Sequence, residues 1–231
     1  MALPKIGAPK YMLTLPSNGE KIEYRPYLVG EEKLLLLAFE AENSAQMILA
    51  LRDVVSACTF GKFDPNTAPV FDTEYIFIQL RAKSVGENSK LVHTCDCGKE
   101  ISFVVNLKDD IGLTSQPKAK ITLKLNDEFG LKLKYPALLD AIKYEGWADK
   151  NKTLAPIAMF IESVYDEENI YSFKEATEDE IAEFIDSLTG QQLKLVQEEI
   201  EKMPGLYAKK VLTCECGKES TVELKGLQSF F

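Results

Sequence analysis

The chain has 231 residues, 45% of them hydrophobic, with 13 Gly and 10 Pro. This apolar content excludes a disordered or low-complexity chain, because it supplies enough side chains for a buried core. Against 27 Lys and Arg stand 36 Asp and Glu, which gives a formal net charge of −9. The acidity argues against binding to nucleic acid or to an anionic membrane, since both need clustered basic residues. Contacts with other proteins remain as a class of function that the composition allows.

No stretch of the sequence has the length of a membrane-spanning helix. The most apolar run, Leu34–Phe39, is far shorter than the roughly 18 residues that a spanning segment needs. The first residues also lack a basic region followed by an apolar core, so we expect no secretion signal. The protein is therefore expected to work in a reducing cytoplasm, without a membrane.

The first part of the chain predicts a β-hairpin, then helices, then a second hairpin. Apolar and polar residues alternate on both sides of the turn at Ser17–Gly19, which is typical of two antiparallel strands. The period then becomes helical, and Asp72 is placed to cap the last of these helices. The predicted helices are Glu31–Ala41, Ser44–Cys58 and Asp72–Lys83, and the predicted strands of the second hairpin are Lys90–Thr94 and Ile101–Leu107.

The second part of the chain predicts the same order of elements. A hairpin turns at Asp127–Gly130, and capping boxes at Thr177 with Glu180 and at Thr189 with Gln192 mark two helix starts. The predicted helices are Ala137–Trp147, Pro156–Tyr165, Glu178–Leu188 and Gly190–Met203, and the final strands are Ala208–Thr213 and Ser220–Leu224.

A nine-residue repeat links the two parts. Val92–Glu100 recurs as Val211–Glu219 with seven of nine residues identical, and weaker similarity joins the hairpins upstream. We interpret this as duplication, although chance similarity of two hairpins would leave the same trace. The predicted fold class is α+β with two tandem related halves, residues 1–108 and 120–231, joined by a linker at 109–119. Each half has a β-hairpin, helices and a hairpin with Cys-x-Cys at its tip.

Four of the five cysteines form the strongest chemical signal. Cys95, Cys97, Cys214 and Cys216 lie at the two predicted tips, each pair followed by a Gly that suits a tight turn. One pair supplies only two ligands, so the tips must meet to complete the four-thiolate set that structural zinc prefers. We therefore predict a shared structural zinc, with free thiols or disulfides as the alternatives. Four sulfur ligands leave no open position for catalysis.

The sequence offers no catalytic or cofactor-binding residues. His93 next to the first cysteine pair is interpreted as a half-exposed strand residue, because its counterpart in the repeat is Leu212. Cys58 lies in an apolar run and is interpreted as a small core residue. Several of the carboxylate clusters fall in first helical turns, where negative charge stabilises the helix dipole, and they are interpreted as solvated surface. The chain is predicted not to be an enzyme.

Two surface features remain open. The first hairpin of the second half carries several lysines, which either meet an acidic partner or form an ordinary polar strand face. The terminal Phe230 and Phe231 should be buried, in the protein's own core or in a partner. The lysines are Lys118, Lys120, Lys124, Lys132 and Lys134.

Several separated segments, in this order, resemble the baseplate hub assembly proteins of T-even-like contractile-tailed bacteriophages. The resemblance covers nearly the whole chain and is carried by Pro4–Ile6, Leu15–Ser17, Tyr24–Val29, Glu31–Leu36, Phe71–Glu87 and Gly226–Phe230.

The resemblance implies a non-enzymatic structural or assembly protein of the tail hub. Its partners would be other hub proteins and the tape-measure protein, and it would act in the host cytoplasm during assembly or in the virion tail. The prediction of zinc rests on the four cysteines of this sequence and not on the resemblance. An intracellular zinc-ribbon-type adaptor is the alternative function, and a small enzyme would need a polar pocket around His93 or the cysteines.

Overall fold

The computed structural model describes residues 6–41, 43–148 and 154–230 and has a mixed α and β architecture. Its strands are β1 Tyr11–Thr14, β2 Lys21–Tyr24, β3 Asn88–Thr94, β4 Glu100–Asn106, β5 Gly112–Leu113, β6 Ile121–Lys124, β7 Gly130–Leu133, β8 Ile161–Tyr165, β9 Ile170–Ser172, β10 Leu206–Thr213 and β11 Glu219–Lys225. Its helices are α1 Val29–Glu40, α2 Ser44–Cys58, α3 Val70–Ser84, α4 Leu138–Ala148, α5 Ala155–Ala158, α6 Glu178–Asp186, α7 Gly190–Glu201 and a C-terminal 3-10 helix, Leu227–Phe230.

The chain divides into two compact units. Unit 1 is formed by the chain up to Pro65, by Phe71–Thr114 and by Pro204 onward, and unit 2 by Asn66–Val70 and Ser115–Met203. Unit 1 thus draws on both ends of the sequence. The predicted boundaries 1–108, 109–119 and 120–231 describe repeats in sequence rather than compact units, and they stay a prediction.

Unit 1 begins with the β1–β2 hairpin, paired from Tyr11 with Tyr24 to Thr14 with Lys21. Helix α3 begins at Val70, two residues before the predicted cap. Asp72 therefore does not cap the helix. Its buried carboxylate instead accepts the backbone N–H of Ser17 at 3.0 Å, so it ties α3 to the turn of the hairpin.

The two cysteine hairpins also lie in unit 1. In β3–β4 the pairs run from Asn88 with Asn106 to Thr94 with Glu100, and in β10–β11 they run from Tyr207 with Lys225 to Thr213 with Glu219. A shift of 119 residues converts one register into the other. Strand β5, inside the predicted linker, pairs with β10 through Leu113 and Leu206, so part of the linker extends a sheet.

The core beneath these hairpins joins residues that are distant in sequence. Buried side chains from α3, β4, β10 and the C-terminal 3-10 helix form one cluster, which consists of Ile78, Ala82, Val105, Leu107, Leu206, Ala208 and Phe230. Burial of the Ile, Val, Leu and Phe side chains of this cluster stabilises the fold by about 1.5–3 kcal/mol each relative to exposure.

Unit 2 is built on the antiparallel sheet β6-β7-β8-β9, whose apolar face packs against helices. Both predicted capping boxes are present: Thr177 accepts the N–H of Glu180, and Thr189 accepts that of Gln192. The helix predicted at Pro156–Tyr165 is wrong beyond Ala158.

Helix α5 ends at Ala158 because residues 161–165 form strand β8 instead. Ile161, Val164 and Tyr165 are β-branched or aromatic, and Leu131 of β7 pairs with Val164. Pairing on this side covers an edge of β7 that a helix would leave without partners. No helix among the described residues has the length and apolarity to cross a membrane.

Candidate metal centre

The tips of the two cysteine hairpins have the same turn geometry. Cys95 N–H donates to the carbonyl of Lys99, and Gly98 N–H donates back to the carbonyl of Cys95, at 2.9 and 2.8 Å. The second tip repeats both bonds at 2.9 Å, between Cys214 and Lys218 and between Gly217 and Cys214. Gly98 and Gly217 have φ values of 83° and 85°, a region that disfavours residues with a Cβ. Each turn thereby directs its two thiols to one side.

The turns bring all four predicted ligand residues together. The sulfur atoms of Cys95, Cys97, Cys214 and Cys216 all lie within 4.8 Å of one another. Two pairs join the hairpins: Cys95 Sγ lies 3.9 Å from Cys216 Sγ, and Cys97 Sγ lies 3.6 Å from Cys214 Sγ. These distances far exceed the roughly 2.05 Å of a disulfide bond. All four are free thiols that can serve as ligands of one metal ion.

The first cysteine of each pair is buried and the second is exposed. Cys95 and Cys214 occupy equivalent places in the repeat, and so do Cys97 and Cys216. The 119-residue equivalence of the two hairpins therefore converts one close sulfur contact, Cys95 with Cys216, into the other, Cys214 with Cys97.

The crowding of sulfurs affects the protonation of Cys214. The N–H of Cys216 lowers the pKa of Cys214, but burial and the hydrogen bonds with the three neighbouring thiols outweigh it and raise that pKa to about 12. With its pKa raised in this way, Cys214 gives up its proton reluctantly unless a cation lies among the sulfurs.

Two reciprocal ion pairs flank the sulfurs. Lys99 of the first tip donates to Glu215 of the second at 2.9 Å, and Lys218 of the second tip pairs with Asp96 of the first. The hydrogen bond with Glu215 raises the pKa of Lys99, and the hydrogen bond from Lys218 lowers that of Asp96. Exposed pairs contribute little stability singly, but two crossed pairs fix which tip residues face each other.

Comparison with known proteins identifies the family. A family profile described as "T4 bacteriophage base plate protein" matches residues 8–231. The chain belongs to this family. It is also similar to the baseplate hub assembly protein gp26 of Enterobacteria phage T4, with 26% identity over 194 residues, which cover 83% of this chain and 84% of that protein. No solved structure matches it.

The other singled-out residues lie outside the thiol cluster. His93 is half-buried on β3, opposite Ile101. Cys58 is fully buried at the end of α2, as predicted, and burial raises the pKa of its thiol to about 12. Its sulfur lies 3.6 Å from Arg25 Nη1 and 3.8 Å from Glu31.

The predicted lysine face of unit 2 is largely engaged within the unit itself. Ion pairs join Lys118 to Glu199, Lys124 to Asp127, Lys132 to Glu162 and Lys134 to Asp140. This favours the polar strand face over an acidic partner for these four lysines.

Of the two C-terminal phenylalanines, Phe230 lies among the residues that the structure describes. Phe230 is 0% exposed in the core of unit 1, and its carbonyl accepts the hydroxyl of Ser89 at 3.0 Å. Of the two predicted locations, the protein's own core is confirmed for Phe230. Phe231 lies outside the described residues.

Two features were missed at the sequence level. The first is the crossed ion pairs of Lys99 with Glu215 and Lys218 with Asp96. The repeat contains a signal for them, because the acid and the lysine recur at the same spacing in both copies. The exposed apolar surface of α1 was not identified, since an isolated apolar run predicts burial rather than exposure. Only Ala38 of that helix is buried.

Proposed function

We propose that this chain is a non-enzymatic structural or assembly protein of a phage tail baseplate hub and acts through protein–protein contacts. The family match over residues 8–231 is the observation that carries the proposal, and the name of the similar T4 protein points to the hub. Its partners would be other hub proteins and the tape-measure protein, which it would meet in the host cytoplasm during assembly.

Mass spectrometry of purified tails and of tail assembly intermediates tests this role. Presence in both fractions is expected for a permanent subunit, and presence only in intermediates for an assembly factor. Absence from both, with normal tails after deletion of the gene, would contradict the proposal and favour the adaptor alternative.

We further propose that Cys95, Cys97, Cys214 and Cys216 hold one structural zinc ion. Four thiolates at Zn–S distances near 2.3 Å form a tetrahedron with edges of about 3.8 Å. The two sulfur distances between the hairpins, 3.9 and 3.6 Å, are close to that edge. With all four ligands from protein, the ion would be structural rather than catalytic.

Elemental analysis and one pair of variants test the zinc proposal. Purified wild-type protein should contain close to one zinc per chain, and Cys95→Ser should lose most of it. Cys58→Ser, which removes a thiol outside the cluster, should retain the metal. The zinc proposal would be wrong if wild-type protein, purified without chelators from zinc-supplemented cells, contained no zinc.

We also propose that the chain arose by duplication, with halves at 1–108 and 120–231. The shared register of the two cysteine hairpins, their equal turns and their crossed ion pairs support this origin. An experimental structure in which β1–β2 and β6–β7 hold different places relative to their cysteine hairpins would count against it.

A further inference from the structure

Helix α1 exposes far more apolar surface than a helix on an isolated protein normally does. Six large apolar side chains at or near it are 50–72% exposed: Leu28, Val29, Leu34, Leu36, Leu37 and Phe39. A helix that is apolar on nearly all sides belongs in an interior. Because α1 is too short to span a membrane, a protein surface is the interior that suits it.

The outermost face of α1 combines apolar and charged residues in a defined order. Val29, Lys33, Leu36, Leu37 and Glu40 follow the spacing i, i+4, i+7, i+8, i+11, which places them on one side of the helix. Ala38, the buried residue, lies on the opposite side. We call these five residues the outer face.

Lys33 and Glu40 are both exposed, and neither forms an ion pair with another residue that the structure describes. They stand at equal distances in sequence from the midpoint between Leu36 and Leu37. When two such helices meet antiparallel about that midpoint, Lys33 of each copy faces Glu40 of the other. The outer face is therefore complementary to itself, which is the property that a two-fold interface requires.

We propose that the outer face of α1 binds the same face of a second copy of this chain, antiparallel, with Leu36 and Leu37 at the centre of the interface. Two reciprocal pairs of Lys33 with Glu40 fix the register. Leu34 and Phe39 lie on the flanks of the helix and widen the contact. This inference does not depend on the hub assignment.

The size of the exposed surface suits this occupant. A standard interface buries about 800 Å² on each partner. The half-exposed apolar side chains of α1 would form the apolar centre of such an interface, and polar residues around them would supply its rim. A lipid surface is less suitable, because α1 carries three acids, Glu31, Glu32 and Glu40, against one base, Lys33, and anionic headgroups would repel them.

Sedimentation of the full-length protein across a concentration series tests the dimer. Wild-type protein is expected to shift from monomer to dimer with rising concentration. Leu37→Glu, which places a charge at the centre of the interface, should abolish the shift. Ile170→Glu is the matched control in unit 2, since Ile170 is 76% exposed against 63% for Leu37, and it should dimerise as wild type does.

A charge-reversal cycle tests the antiparallel register. Lys33→Glu and Glu40→Lys each replace two attractive pairs by two repulsive ones, so each should weaken the dimer by about ten-fold or more at low salt. The double variant restores opposite charges and should return the dissociation constant to near the wild-type value.

Three results would overturn the proposal. A monomer at every soluble concentration would mean that another protein covers α1. Additive effects of the two charge reversals would exclude the antiparallel register. Binding of a monomer to phosphatidylcholine–phosphatidylglycerol vesicles, lost in Leu37→Glu, would assign the face to a membrane.

Discussion

Asp72 is a buried residue whose role in the structure differs from the role that its sequence position predicts. Its spacing suits a helix cap, yet the carboxylate is 1% exposed and bonded to Ser17. Burial raises the pKa of Asp72, and the two hydrogen bonds from Ser17 only partly oppose this. No local pattern reports such a contact, because the turn that provides it lies more than fifty residues upstream.

We predict that Asp72→Asn changes the pH dependence of stability. An acid whose folded-state pKa is raised contributes stability below its ordinary value of 3.8 and loses that contribution as pH rises through the raised pKa. Asn keeps an acceptor for Ser17 and does not titrate. The variant should therefore gain stability relative to wild type as pH rises from 3.8 toward neutrality, measured by urea unfolding at several pH values.

Asp109→Asn, which removes one carboxylate from an exposed position of the same unit, is the control for the change in net charge. A wild-type profile parallel to that of Asp72→Asn at every pH would show that the carboxylate of Asp72 titrates normally.

At the scale of elements, sequence periodicity predicts those strands and helices whose pattern is determined by their own residues. Both cysteine hairpins and the capped helices α6 and α7 were predicted correctly. The failure at Ile161–Tyr165 has a tertiary cause, because these residues become strand β8 only when β7 offers them an edge. The thiol cluster could be predicted because two ligands at each tip demand a second tip.

The C-terminal 3-10 helix contributes a buried side chain to the core of unit 1, and this contribution can be tested. Phe230 fills the core of unit 1, and Glu74 accepts the N–H of Leu227 at 3.4 Å, so the segment is anchored at both ends. Phe230→Ala should lower the free energy of unfolding by about 3–5 kcal/mol, the usual cost of truncating a buried Phe. Chemical denaturation at low protein concentration measures it.

Phe39→Ala is the control for this measurement, because Phe39 is 72% exposed and its loss creates no cavity. It should change stability by less than about 1 kcal/mol. Equal losses in the two variants would mean that Phe230 does not occupy the core in solution.

For the whole molecule, the important property is that unit 1 is assembled from the two ends of the chain. β3–β4 and β10–β11 are separated by the segment that folds as unit 2. A metal bound by both cysteine pairs would close this long loop, and closure of a long loop removes much entropy from the unfolded chain. The stabilisation should then be confined to unit 1, since the core of unit 2 contains none of the four cysteines.

We therefore predict that metal removal affects the two units differently. In hydrogen–deuterium exchange, a chelator should increase exchange in the cysteine hairpins, at residues 88–106 and 206–225. Exchange in the unit 2 strands β6, β7 and β8 should remain near its original rate, because Leu131 and Ile161 keep their packing. Cys97→Ser should reproduce the pattern without chelator. Deprotection of both units together would show that the metal stabilises the chain as one cooperative block, contrary to a site local to unit 1.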